Sequence, residues 1–123
     1  MKRVYLISLV VLLGFVIGCA QNEPKYEDVS KERFAALIKT GDGLLIDLRT
    51  PKEYDQGHIE GAVNIDFFDD HFEDEIAKLD KNKMVYIYCA SGGRSGKTLA
   101  LLKKSGFKTV YHLPIGYNGW VAK

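Results

Sequence analysis

Apolar positions along the chain follow two periods, and their alternation outlines the fold. Leu44–Leu48, Ala62–Ile65, Met84–Tyr88 and Thr109–Tyr111 are short apolar runs rich in Val, Ile, Leu and Tyr, which predicts strands. Between them, apolar residues recur at helical spacing. Phe34, Leu37 and Ile38 make one stripe, and Phe68, Phe72, Ile76 and Leu79 make another beneath an acidic outer face. Leu99 and Leu102 belong to a third helix, which runs from Ser95 and is stopped by Gly106. A brief helical turn is expected from Gly116 to Trp120.

The punctuation agrees with these periods. Ser30 is a fair N-cap, with Val29 and Phe34 placed as a hydrophobic staple. Thr50-Pro51-Lys52-Glu53 combines a capping box with proline at the first helical position, and Gly57 limits that helix to about one turn. Strands alternating with helices predict an α/β fold: a small parallel sheet of four to five strands with helices on both faces. The strand Leu44–Leu48 is apolar except for Asp47, as expected where both faces of a sheet are covered.

The first residues stand apart from this pattern. Lys2 and Arg3 precede an apolar run, Val4–Ile17, that is short for a bilayer span and ends in Gly18-Cys19. Such a layout is that of an export signal, and Val16-Ile17-Gly18-Cys19 resembles a bacterial lipobox. Residues 1–18 are therefore expected to be a lipoprotein signal peptide, with Cys19 lipidated and the protein anchored to a membrane of the cell envelope. Residues 19–28 read as a polar tether and residues 29–123 as one domain. Loss of Lys2 and Arg3 would turn a formal charge of +1 slightly negative. No basic excess remains for nucleic acid.

Candidate chemistry centres on Cys89, which follows a strand and precedes the loop Ala90-Ser91-Gly92-Gly93-Arg94-Ser95. The glycines let successive amides point inward, the following helix contributes its N-terminal dipole, and Arg94 adds a full charge. Each favours thiolate over thiol. Of the two cysteines, lipidation of Cys19 would leave Cys89 without a partner in the chain, which points to a free functional thiol. Asp47 and Arg49, at another strand end, are expected to join Arg94 in a charged network that braces the loop.

Competing motifs are weaker. Ser91–Thr98 nearly spells a phosphate-binding loop, but its first glycine is replaced by Ser91 and no magnesium-binding strand follows. His58, His71 and His112 are scattered and lack metal-ligand spacing, so no metal is expected. His58 reads as a hydrogen-bonded structural residue, His71 as an exposed helix position and His112 as a loop residue. The G-x-S-x-G elbow of serine hydrolases is absent.

Four segments together resemble the single-domain rhodaneses, a sulfurtransferase family. They are Leu45–Tyr54, Gly57–Ala62, Tyr88–Ser95, and Val110–Leu113 with Gly116 and Trp120. The resemblance implies transfer of sulfane sulfur without a cofactor. A small anionic donor such as thiosulfate, or a persulfide, would load Cys89, and a thiol or cyanide would unload it. The amides of residues 90 to 95 would hold the persulfide and the donor. Phosphatases and arsenate reductases of the same fold use a longer loop, whereas only Ala90–Gly93 separate Cys89 from Arg94 here. A membrane-tethered sulfur-carrier or binding module is the other alternative. Glu60 and Pro114-Ile115 depart from the usual pattern, the first at a turn and the second near the pocket mouth.

Overall fold

The structure is a computed structural model that describes Gly14, Gly18 and residues 23–123. The expected signal peptide and Cys19 lie outside the described residues, apart from the two glycines. Among the described residues, no helix is long and apolar enough to cross a membrane.

Five strands form one parallel sheet: β1 (Lys25–Asp28), β2 (Leu44–Asp47), β3 (Val63–Asn64), β4 (Val85–Tyr88) and β5 (Thr109–His112). Their order across the sheet is β1-β5-β4-β2-β3, which places the wholly buried β4 at the centre. The helices are α1 (Lys31–Ile38), α2 (Pro51–Asp55), α3 (Phe72–Ala77), α4 (Gly93–Ser105) and α5 (Gly116–Val121).

The period-two alternation of the strands divides the core. Ile46, Val85, Ile87 and Val110 pack with Phe72 and Ile76 of α3 and Leu102 of α4. Leu45, Tyr86, Tyr88 and Tyr111 face the other way, against Phe34 of α1, with Tyr54 of α2 and Tyr117 and Trp120 of α5 packed alongside. Helices therefore cover both faces, as the alternation of periods predicts. Caps secure two of them: Ser30 Oγ accepts from the Arg33 N–H, and the Thr50–Glu53 capping box is complete.

Three elements differ from the sequence expectation. Lys25–Asp28, read as the end of a tether, is an edge strand paired with β5. Its polar residues reflect an edge position, where one side of the strand meets solvent. The helix expected from Phe68, α3, starts at Phe72 instead. The Asp66 and Asp69 side chains accept backbone N–H groups two residues on, which holds the preceding segment in turns and leaves Phe68 exposed. His112 is the last residue of β5, not a loop residue, and it is buried.

Candidate active site

Cys89 leaves the carboxyl end of β4 and is buried, with the next residues curling into the N-terminus of α4. The curl depends on Gly92, which caps α4 in the left-handed region at φ 97°. A Cβ there would stand 2.3 Å from the carbonyl oxygen of Pro114. Only glycine fits that position without moving the backbone. Gly93, by contrast, borders open space.

The loop is held from behind by α5. The N–H of Tyr117 donates to the Cys89 carbonyl at 2.8 Å, and that of Asn118 to the Ala90 carbonyl at 3.0 Å. Gly116, at φ 64°, permits this approach, since a Cβ would lie 2.3 Å from the Ala90 oxygen. With its carbonyls engaged from outside, the loop turns amides toward the sulfur. The Gly92 N–H donates to Cys89 Sγ at 3.1 Å, and Ser95 Oγ lies 3.3 Å from it. Burial pushes the Cys89 thiol up, but the Ser95 hydroxyl and the amides of Ser95, Ser91 and Gly92 outweigh it. The thiol sits below its ordinary value, so thiolate is favoured.

The expected charged network divides in two. Asp47 and Arg49 form a buried pair, with Nη2 2.8 Å from Oδ2, and Tyr88 donates to the same carboxylate oxygen at 2.6 Å. Burial and the Asp47 carboxylate drive the Tyr88 phenol far above its ordinary range. Arg49 also donates to the Gly57 carbonyl and lies over the Tyr117 ring, 4.1 Å from its centroid. Arg94 does not join this pair. It makes two hydrogen bonds to Glu53 of α2, at 2.8 and 3.0 Å, and approaches the exposed Phe68 ring at 5.5 Å. Arg94 holds the Glu53 carboxyl down at about 2, against burial and with help from the Thr50 N–H and hydroxyl. A fork-shaped cation selects the carboxylate that can accept two parallel bonds, and the capping box has already oriented Glu53 to do so.

The structure thus brings Cys89 and the loop that follows it into one cup, while Asp47 and Arg49 pair with each other, Tyr88 and Gly57. Sequence reasoning missed Glu53, Tyr88, Tyr117, His112 and Asp28 as neighbours of the site. The signal for His112 was present: two residues beyond Val110, it falls on the sheet face of Cys89. His58 is structural as expected, with Nδ1 2.9 Å from the Tyr54 carbonyl and its ring stacked on Tyr54. His71 is exposed as expected, at the N-cap of α3. Among the described residues, no group of His, Cys, Asp and Glu is placed to hold a metal ion.

The model of the rhodanese-like domain matches residues 30–123. The chain belongs to the rhodanese-like domain family. Among its relatives is YrkF of Bacillus subtilis, named a sulfur carrier protein, 31% identical over 105 residues that cover 85% of this chain and 56% of YrkF. MoeZ of Mycobacterium tuberculosis, named an adenylyltransferase/sulfurtransferase, is 32% identical over 120 residues, 97% of this chain and 31% of MoeZ. The chain therefore spans about half of one relative and a third of the other. A rhodanese-like domain protein from Staphylococcus aureus superimposes with a TM-score of 0.68 at 26% identity, covering 79% of this chain and 93% of that one. The five-stranded parallel sheet flanked by helices is the architecture of this rhodanese-like fold.

Proposed function

We propose that the domain is a sulfurtransferase that carries sulfane sulfur as a persulfide on Cys89, taking it from thiosulfate or a persulfide and giving it to a thiol or cyanide. The observation that carries this reading is the sulfur cup itself: Cys89 Sγ receives the Gly92 N–H and lies against the Ser95 hydroxyl at the N-terminus of α4. A thiolate there attacks the outer sulfur of thiosulfate. The new S–S bond forms as the old one breaks, and sulfite leaves with the electron pair. The terminal persulfide sulfur, now anionic, settles among the loop amides. An acceptor thiolate or cyanide then takes that sulfur and regenerates the Cys89 thiolate. Names among the relatives, a sulfur carrier and a sulfurtransferase, support the same chemistry.

Mass spectrometry after incubation with thiosulfate should show a gain of one sulfur, about 32 Da, on Cys89, as nucleophilic transfer requires. Cyanide should remove it as thiocyanate, and Cys89→Ser should abolish both steps. Loading without multiple turnovers would favour a carrier. No sulfur adduct with any sulfane donor, together with Cys89-dependent cleavage of an aryl phosphate, would replace the proposal by a phosphatase.

We also propose that the domain is held at a membrane through lipid on Cys19, with residues 1–18 removed as a signal peptide. The basic start, the apolar run and the terminal Gly18-Cys19 support this. Lipid should be found on the Cys19 peptide, and Cys19→Ala should release the protein. An unmodified Cys19 within an uncleaved chain would refute it.

A further inference from the structure

A continuous hydrogen-bond chain leads from the buried thiol to the surface behind it. Cys89 Sγ lies 3.3 Å from Ser95 Oγ, which lies 2.6 Å from His112 Nε2, and His112 Nδ1 lies 2.9 Å from Asp28 Oδ1. Cys89, Ser95 and His112 are buried, whereas the Asp28 side chain is 65% exposed. Parallel pairing sets Asp28 beside His112 across β1 and β5, and Ile87 beside His112 on β4. The alternation that puts Val110 and Ile87 under α4 aims the His112 ring at Ser95.

We infer that His112 and Asp28, acting through the Ser95 hydroxyl, are positioning residues that control the proton on Cys89. The inference rests on Cys89 being the reacting thiol. Ser95 has one hydroxyl proton, so it cannot donate to sulfur and to His112 at once. With the Asp28 carboxylate accepting from Nδ1–H, two arrangements satisfy every partner. In the first, the Cys89 thiol donates to Ser95 and Ser95 donates to a bare Nε2. In the second, His112 carries protons on both nitrogens, Nε2–H donates to Ser95, and Ser95 donates to the Cys89 thiolate. Passage from one to the other breaks S–H and forms a new Ser95 O–H with that proton. The original Ser95 proton moves to Nε2. Charge is conserved: thiol and neutral imidazole become thiolate and imidazolium, the latter in contact with the Asp28 carboxylate. The thiolate is thereby generated inside a buried cup, without water reaching the sulfur.

Other charges packed nearby are committed elsewhere. On β1, Lys25 pairs with Glu27, which also holds Arg33. On α4, Arg94 is held by Glu53, and Lys103 lies over Tyr26. The phenols of β4, Tyr86 and Tyr88, belong to the opposite face. Asp28 is the carboxylate in contact with the ring.

The test is the pH titration of Cys89 thiolate by ultraviolet absorbance, in the full chain carrying Cys19→Ser throughout so that one thiol reports. Asp28→Asn keeps an oxygen for Nδ1–H and removes only charge, on an exposed side chain that leaves folding intact. It should raise the titration midpoint by roughly half a unit to one unit, a ~3- to 10-fold loss of thiolate below the midpoint. In a Ser95→Ala background the same change should move nothing, because the connection is cut. His112→Gln, whose amide can donate to Ser95 but cannot accept the proton, should also make the midpoint indifferent to Asp28→Asn. An unmoved midpoint in Asp28→Asn alone would overturn the inference. So would a shift that persists undiminished with Ser95→Ala, since that is a plain field effect. No sulfur donor enters the titration, so failure of sulfur loading would remove the proposed function without altering this result.

Discussion

Two ion pairs stand within reach of the same loop and are built for different tasks. Asp47–Arg49 is sealed, with side chains 0% and 5% exposed, and Tyr88, Gly57 and the Arg49 backbone N–H add hydrogen bonds to it. Arg94–Glu53 lies at the rim, 19% and 33% exposed, and joins the loop to α2. A sealed pair has no partner to turn to if one member is lost, whereas a rim pair has water. The first is therefore a brace that must stay whole, and the second is a contact that a substrate can renegotiate.

The largest expected effect comes from breaking the sealed pair. Asp47→Ala leaves a buried guanidinium unpaired, which should cost about 3–5 kcal/mol, read from urea unfolding. A loss under about 1 kcal/mol, the range for exposed pairs, would erase the distinction. Next comes Arg94→Ala, which should cost only about 0–1 kcal/mol in stability. Its signature is functional: transfer from anionic donors should fall more than transfer from neutral ones. Equal losses would make Arg94 a structural strut only.

The smallest effect sharpens the rim pair alone. Arg94 lowers the Glu53 carboxyl from its ordinary 4.5 to about 2, so Glu53 contributes stability fully above pH 4.5. That contribution declines as pH falls from there and is gone below about 2. A carbon-detected titration should find Glu53 still ionised at pH 3.5 or so, and Arg94→Ala should return it toward 4.5. An unshifted Glu53 in the intact protein would mean that the bidentate contact does not persist in solution.

Much of this site is legible along the chain because its signals are local. The cysteine, the glycines and the arginine lie within one short stretch, and the strand and helix around them are marked by periodicity and Gly106. The capping box at Thr50–Glu53 is equally local, and it forms as expected. Partners across the sheet are not local. Glu53 is far from Arg94 in sequence, and nothing in the spacing distinguishes it from Asp47 as the partner. Asp28 reads as tether because an edge strand carries too few apolar residues to announce itself.

By itself the sequence determined the elements other than the edge strand β1, their alternation, the two-sided core and the placement of one thiol between a strand end and a helix start. Those follow from period, propensity and caps, which act over a few residues. The tertiary structure decided which charges meet. Strand order put β1 beside β5 and so Asp28 beside His112, and α2 brought a pre-oriented Glu53 under Arg94. α5 closed its backbone on Cys89 and Ala90. Hydrogen bonds and ion pairs depend on distances of about 3 Å between groups, and such distances exist only once the sheet is assembled.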